Sequence, residues 1–319
     1  TLPDLDGLLI IAFTRDPVSL MTVHRSFSHS LFVLPLLGTL IWWLYRRFGH
    51  GRVAQAPLRW WWAMVLALVT HPLLDAFTVY GTQLWWPLMP HPTMWSSVFI
   101  IDPLYTLWLG LACAVAWFAR ARPLAQRALV AGLVLSCGYL GWSLLAKHLV
   151  ERDAGRALAA MGLADAPRFS VPMPFNTLLW RVVAMTPQGY VVGDRSLWAD
   201  HGPMRFTGHP SNVQALRQAA AIPAVARLQW FNRGFMRAQV RDGELVLSDL
   251  RMGLEPDYNF SFAVAREQGD RWAPIAPRQL RPVYRDAGGH AVLEQRLAQV
   301  WRRIWNDEGV MPAAEVTGG

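Results

Sequence analysis

The chain has 319 residues, 53% of them hydrophobic, and a formal net charge of +8. That length holds one large or two ordinary domains. Its two cysteines, Cys113 and Cys137, both lie inside apolar runs and exclude a disulfide scaffold or a cysteine-based metal site.

The first residues, TLPDLD, begin without Met and read as the middle of something, so an apolar helix is expected upstream of them. Leu8 to Phe13 is apolar but too short to span a bilayer. Four longer runs follow: Leu31 to Tyr45, Leu58 to Leu74, Val98 to Phe118 and Ala128 to Ala146. Runs of roughly 15–20 residues are near the lower limit for a transmembrane helix. After Val150 charges recur every few residues. Phe235 to Val240 and Leu245 to Asp249 flank RDGE and predict a hairpin, Tyr258 to Ala265 predicts a strand, and residues 291–305 predict a closing amphipathic helix. The expected fold is therefore an α-helical membrane bundle of about four transmembrane helices, its N-terminal helix missing, followed by a C-terminal α+β extramembrane domain. The expected division is 1–149 for the transmembrane part and 150–319 for the extracytoplasmic part.

Charge sets the expected topology. Arg46, Arg47, Arg52 and Arg59 lie in one inter-run loop, Arg120, Arg122 and Arg127 in another, and residues 71–101 hold no Lys or Arg. Positive residues favour the cytoplasm, which puts 71–101 and everything after Lys147 outside. Basic residues sorted this way, with 17 Trp suited to interfacial belts, favour a membrane over a nucleic-acid partner.

This topology gathers His24, His29, His71, Asp75, Asp102, Asp4 and Asp6 at one bilayer face. His71 and Asp75 are four apart and share a helical face. Ionisable groups at that depth need partners or a cation. Imidazole with carboxylate suits Zn first, with Mn or Fe as alternatives, and seven groups could serve one or two ions. Each group also has a plainer reading: PDLD as a turn, the histidines as interfacial residues, His71 and Asp75 as a hydrogen-bonded pair, Asp102 before Pro103 as a helix N-cap. Ser26, Ser28 and Ser30 read as supporting or capping groups rather than nucleophiles. His50, His91, His148, His201 and His209 lack acidic partners at useful spacing.

In order and spacing, TLPDLD, HRSFSHS, HPLLDAFTVYGTQLWWP and IDPLYTL resemble the predicted membrane-bound metal-dependent hydrolases, also described as LexA-binding, inner-membrane-associated hydrolases. The resemblance covers about residues 1–148, and PMPFNTLLWRVV extends it past the membrane part. It implies a bacterial inner-membrane, multi-pass protein that uses a divalent metal, with Asp4, Asp6, His24, His29, His71, Asp75 and Asp102 as ligands. LexA binding is a cytoplasmic contact, at odds with an extracytoplasmic C-terminal domain. The function expected is metal-dependent hydrolysis at the membrane–water boundary, on a phosphoester or lipid-linked substrate, with Asp6 or Asp75 accepting the proton. The alternative is a membrane scaffold with a structural His/Asp cluster and a partner-binding outer domain.

Overall fold

The computed structural model describes residues 2–49, 51–282 and 289–307; Thr1 and His50 lie outside them. The expected four-span bundle is not what forms. The apolar runs do become helices, Val33–Phe48, Pro57–Ala76, Pro103–Ala119 and Pro123–Ala160. However, they pack as two separate pairs, each in a different compact unit that also contains an antiparallel four-stranded sheet. Among the described residues one helix, Pro123–Ala160, is long and apolar enough to cross a membrane. A bent pair, Pro17–His29 with Val33–Phe48, qualifies only if its two arms, 56° apart, form one broken span. Pro57–Ala76 falls short because Arg59, Thr70, His71 and Asp75 dilute its apolar face. The assignment of 71–101 and of the chain after Lys147 to the outer side counted four spans and does not carry over.

The units do not divide the chain at residue 150. One comprises Thr1–Trp95, Asn212–Gly253 and Tyr258–Arg281; the other comprises Ser96–Ser211, Leu254–Asp257 and Pro282–Gly319. The polar half of the sequence therefore supplies a sheet to each.

In the first unit, Val33–Phe48 and Pro57–Ala76 meet where Gly38 lets the backbone of Val65 approach; a Cβ there would lie 3.1 Å from the Val65 Cα. The sheet runs Arg271–Leu280, Ser261–Gln268, Glu244–Asp249, Met236–Arg241 in spatial order, all antiparallel. The expected RDGE hairpin is present: Arg241 pairs with Glu244 across Asp242 and Gly243, whose φ of 53° and 72° are the left-handed values a two-residue hairpin turn requires. The expected strand at 258–265 begins later, at Ser261.

In the second unit, Arg168–Pro172, Leu179–Thr186, Gly189–Ser196 and Thr207–Pro210 form an antiparallel meander. The Pro123–Ala160 helix does not stop at Lys147. It continues as a small-residue stripe, Ala146, Val150 and Ala154, against Trp180, Val182 and Met204 of the sheet side. All but Met204 are 0% exposed; burying Trp180 and Val182 stabilises this contact by about 1.5–3 kcal/mol each. The closing helix, Gly289–Trp305, packs Val300 and Ile304 on Met173 and Leu179.

Candidate metal centre

The site is built in the first unit from four short pieces. Pro3–Leu5 is a single 3-10 turn that carries Asp4, and Asp6 opens the next helix. Phe27–His29 is another 3-10 turn ending on His29. The Pro57–Ala76 helix brings His71 and Asp75 on one face, as their spacing dictates. A strap at 78–84 holds the chain at residues 21–25, which leads into His29: the Tyr80 hydroxyl donates to Met21 O at 2.7 Å, Gln83 Nε2 to Thr22 O at 2.7 Å, and Gln83 N–H to Arg25 O at 3.0 Å. Gly81, at φ 102°, makes the strap turn; a Cβ there would sit 3.0 Å from Pro92.

Asp4, His29, His71 and Asp75 offer one ligand atom each, and these atoms all lie within 4.8 Å of one another. The His29 Nε2–Asp75 Oδ2 distance is 3.1 Å, His71 Nε2–Asp4 Oδ1 3.2 Å, and His29 Nε2–Asp4 Oδ1 and His71 Nε2–Asp75 Oδ2 3.5 Å. Such edges suit a central ion about 2.0–2.2 Å from each donor, the usual range for Zn with nitrogen and oxygen. Two of the atoms, His29 Nε2 and Asp75 Oδ2, are buried and make no hydrogen bond although they face each other.

The tautomer of His29 explains why. Asp6 Oδ2 accepts the Ser28 hydroxyl at 2.6 Å, so the one Ser28 proton is spent there. Ser28 Oγ must then accept from His29 Nδ1, 2.8 Å away. That leaves His29 Nε2 as a bare lone pair aimed at a carboxylate oxygen. Two bare acceptors in a buried contact repel unless a cation or a proton lies between them, and a divalent ion suits the two further donors close by. Beside them the Arg25 guanidinium pairs with Asp75, its Nη2 3.4 Å from Asp75 Oδ1.

The other expected ligands stand apart from the quartet. Asp6, 2% exposed, accepts from His24 Nδ1 at 2.8 Å and from the Arg25 N–H at 3.0 Å besides Ser28. Burial alone would raise its pKa, but the His24 and Ser28 hydrogen bonds, the charge of His24 and the Arg25 N–H outweigh it and hold the carboxyl below its usual value. Asp6 is thus occupied as an orienting group, the arrangement by which metal-binding histidines are commonly fixed. His24 leans on Asp6, its ring centroid 6.0 Å from that of His29. Asp102 belongs to the second unit, where it caps Pro103–Ala119 by accepting from Leu104 N–H and Tyr105 N–H and also takes the Tyr139 hydroxyl. Among the remaining histidines, His91 Nδ1 lies 2.8 Å from Trp230 O and His209 stacks on Tyr190.

Sequence reasoning missed Arg25. Its backbone sits at φ 62°, an uncommon value for a non-glycine residue, which turns its N–H to Asp6 while its side chain reaches Asp75 and Thr78. The one cation inside HRSFSHS, between two imidazoles, was the available signal.

No curated protein and no solved structure is significantly similar to the chain. Residues 1–150, the stretch that contains the whole quartet, match the family model described as YdjM inner membrane protein.

Proposed function

We propose that the chain is a membrane-associated, metal-dependent hydrolase with its centre at Asp4, His29, His71 and Asp75. The observation that carries this reading is the buried, unpartnered pair His29 Nε2 and Asp75 Oδ2, a juxtaposition that a divalent ion would relieve. The inner membrane as location is supported by the family match over residues 1–150 and by the apolar Pro123–Ala160 helix. Nitrogen and carboxylate donors without thiolate favour Zn, with Mn or Fe as alternatives.

A bound divalent ion would supply Lewis acidity and ionise water near neutral pH. The chain's own residues do the rest. Asp6, through Ser28, keeps the His29 proton on Nδ1. Arg25 neutralises the outer oxygen of Asp75. The Asp4 side chain, 34% exposed, gives the quartet an open side towards solvent. The reaction class is ester hydrolysis: water adds its hydroxyl to the acyl or phosphoryl centre, and its proton ends on the departing alcohol.

The test is elemental analysis of the detergent-purified protein alongside His29→Ala and Asp75→Ala variants, with a hydrolysis screen on phosphoesters and carboxylic esters. About one or two ions per chain in the wild type, lost in both variants together with turnover, is expected. A metal-free wild type indifferent to chelator overturns the proposal. Metal without turnover on any ester leaves a structural cluster in a membrane scaffold.

A further inference from the structure

Beside the quartet, within the first unit, lies a cleft of about 340 Å³ lined by Ile10, Ile11, Leu20, Met21, Phe260 and His24. Its size is that of a small-ligand site. The walls are mostly aliphatic or aromatic; of the polar lining groups, the Tyr80 hydroxyl is spent on Met21 O and Gln279 Nε2 donates to Asn259 O, while His24 reaches both Asp6 and the edge of the His29 ring. A ligand with a long apolar part and one polar end matches that distribution; a sugar, nucleotide or peptide would leave its polar groups unpaired there.

The outside of the same wall names the medium the ligand comes from. The helix Asp6–Phe13 is apolar beyond its first residue and turns Leu8, Leu9 and Phe13 outward, with Leu8 70% and Phe13 88% exposed. It is far too short to span a bilayer. Exposed apolar side chains side by side mark a contact with protein or membrane. One face of this helix lines the cleft and its first residue, Asp6, orients the metal-site histidines, so a bilayer touching its outer face would be continuous with the cleft.

We propose that this cleft takes one acyl chain of a membrane lipid and thereby presents the lipid's head-group ester to Asp4, His29, His71 and Asp75. The inference rests on the hydrolase reading for the ester step and narrows its substrate class to bilayer lipids. Gly7 supplies the means of testing it. It lines the cleft, and a Cβ added there would meet nothing within 4 Å, so a large side chain can fill the space without forcing the backbone.

The experiment uses the full chain in vesicles of phosphatidylethanolamine and phosphatidylglycerol that carry a trace of phosphatidylcholine with a photoreactive diazirine in mid-chain. After illumination, labelled tryptic peptides are mapped and bound metal is measured on the same samples. Labelling of the peptides spanning residues 2–15 and 16–25 is expected. It should fall about tenfold or more in Gly7→Phe, as displacement of two or more chain methylenes implies, while metal content stays at the wild-type level. Labels confined to the Pro123–Ala160 helix, or cleft labelling that Gly7→Phe leaves intact, overturn the proposal while the metal centre stands. Normal cleft labelling of a wild type that binds no metal removes the hydrolase reading, and with it the substrate assignment. Loss of metal in Gly7→Phe is met by Leu20→Trp, which fills the same cleft from the helix Pro17–Val23 and must show the same loss of labelling with metal retained.

Discussion

Replacing Asp6 by Ala strikes the group on which the geometry of the centre turns. Asp6 accepts from His24 Nδ1, Arg25 N–H and Ser28 Oγ, and is 2% exposed. The His24 side chain, 28% exposed, can turn to water. The Arg25 N–H cannot, and a buried donor left unpaired costs about 1–3 kcal/mol. The half-buried Ser28 hydroxyl, freed from Asp6, can rotate and donate to His29 Nδ1. That moves the His29 proton to Nε2, where it points at Asp75 and blocks the lone pair a metal needs. The variant should lose about 2–4 kcal/mol of stability and about 10–100-fold in metal affinity. Competition against a chelating dye measures the affinity, and nitrogen NMR of the His29 imidazole reads the tautomer. Ser28→Ala should weaken binding by the same route, so the double variant should lose less than the sum of the two. Asp6→Ala with wild-type affinity and an Nδ1-protonated His29 would refute the relay.

Chelation should destabilise the first unit: removing an ion present at 100 times its Kd costs about 2.7 kcal/mol, read as a fall in Tm that excess metal restores. The Asp6 carboxyl is held below its ordinary pKa, so it contributes stability in full above the unfolded value of about 3.9 and loses it as pH falls through the lower folded value. Acid unfolding of Asp6→Asn, followed by circular dichroism, should therefore flatten over that acid window and match the wild type in shape above it. Gly132→Val should part the helices Pro103–Ala119 and Pro123–Ala160, because a Cβ at 132 would lie 2.4 Å from the Ala112 Cβ and 2.9 Å from Trp108 O. Overpacking of about 1–3 kcal/mol is expected, measured as a lower Tm in detergent.

Part of this site was legible because its periodicity is local. His71 and Asp75 are one helical turn apart, and no tertiary knowledge is needed to put them on one face. The fates of His24 and His29 were not legible. They are five positions apart, and only the left-handed turn at Arg25 and the 3-10 turn after it send one imidazole to the quartet and the other to Asp6. Asp102 carried its cap signature openly, an Asp directly before Pro at the start of an apolar run, and the structure uses it as one. The architecture was misread because apolar runs say that a helix will be buried, not in what. Ala146, Val150 and Ala154 face a sheet made of residues that composition alone assigned to another domain. Hairpins with strong turn chemistry, such as Asp242–Gly243, were readable; the long-range choice of which helices each sheet serves was not.

The discontinuity of the first unit has a consequence for biosynthesis. The helix Pro17–Val23, which leads into the metal-site histidines, packs on the helix Pro223–Asn232 and on the strand Arg271–Leu280. A ribosome that has made residues 1–150 has therefore emitted every ligand but not the surface that steadies them. Until some 130 further residues emerge, the nascent segment must wait, half-built, with its histidines and carboxylates open to whatever ion reaches them first.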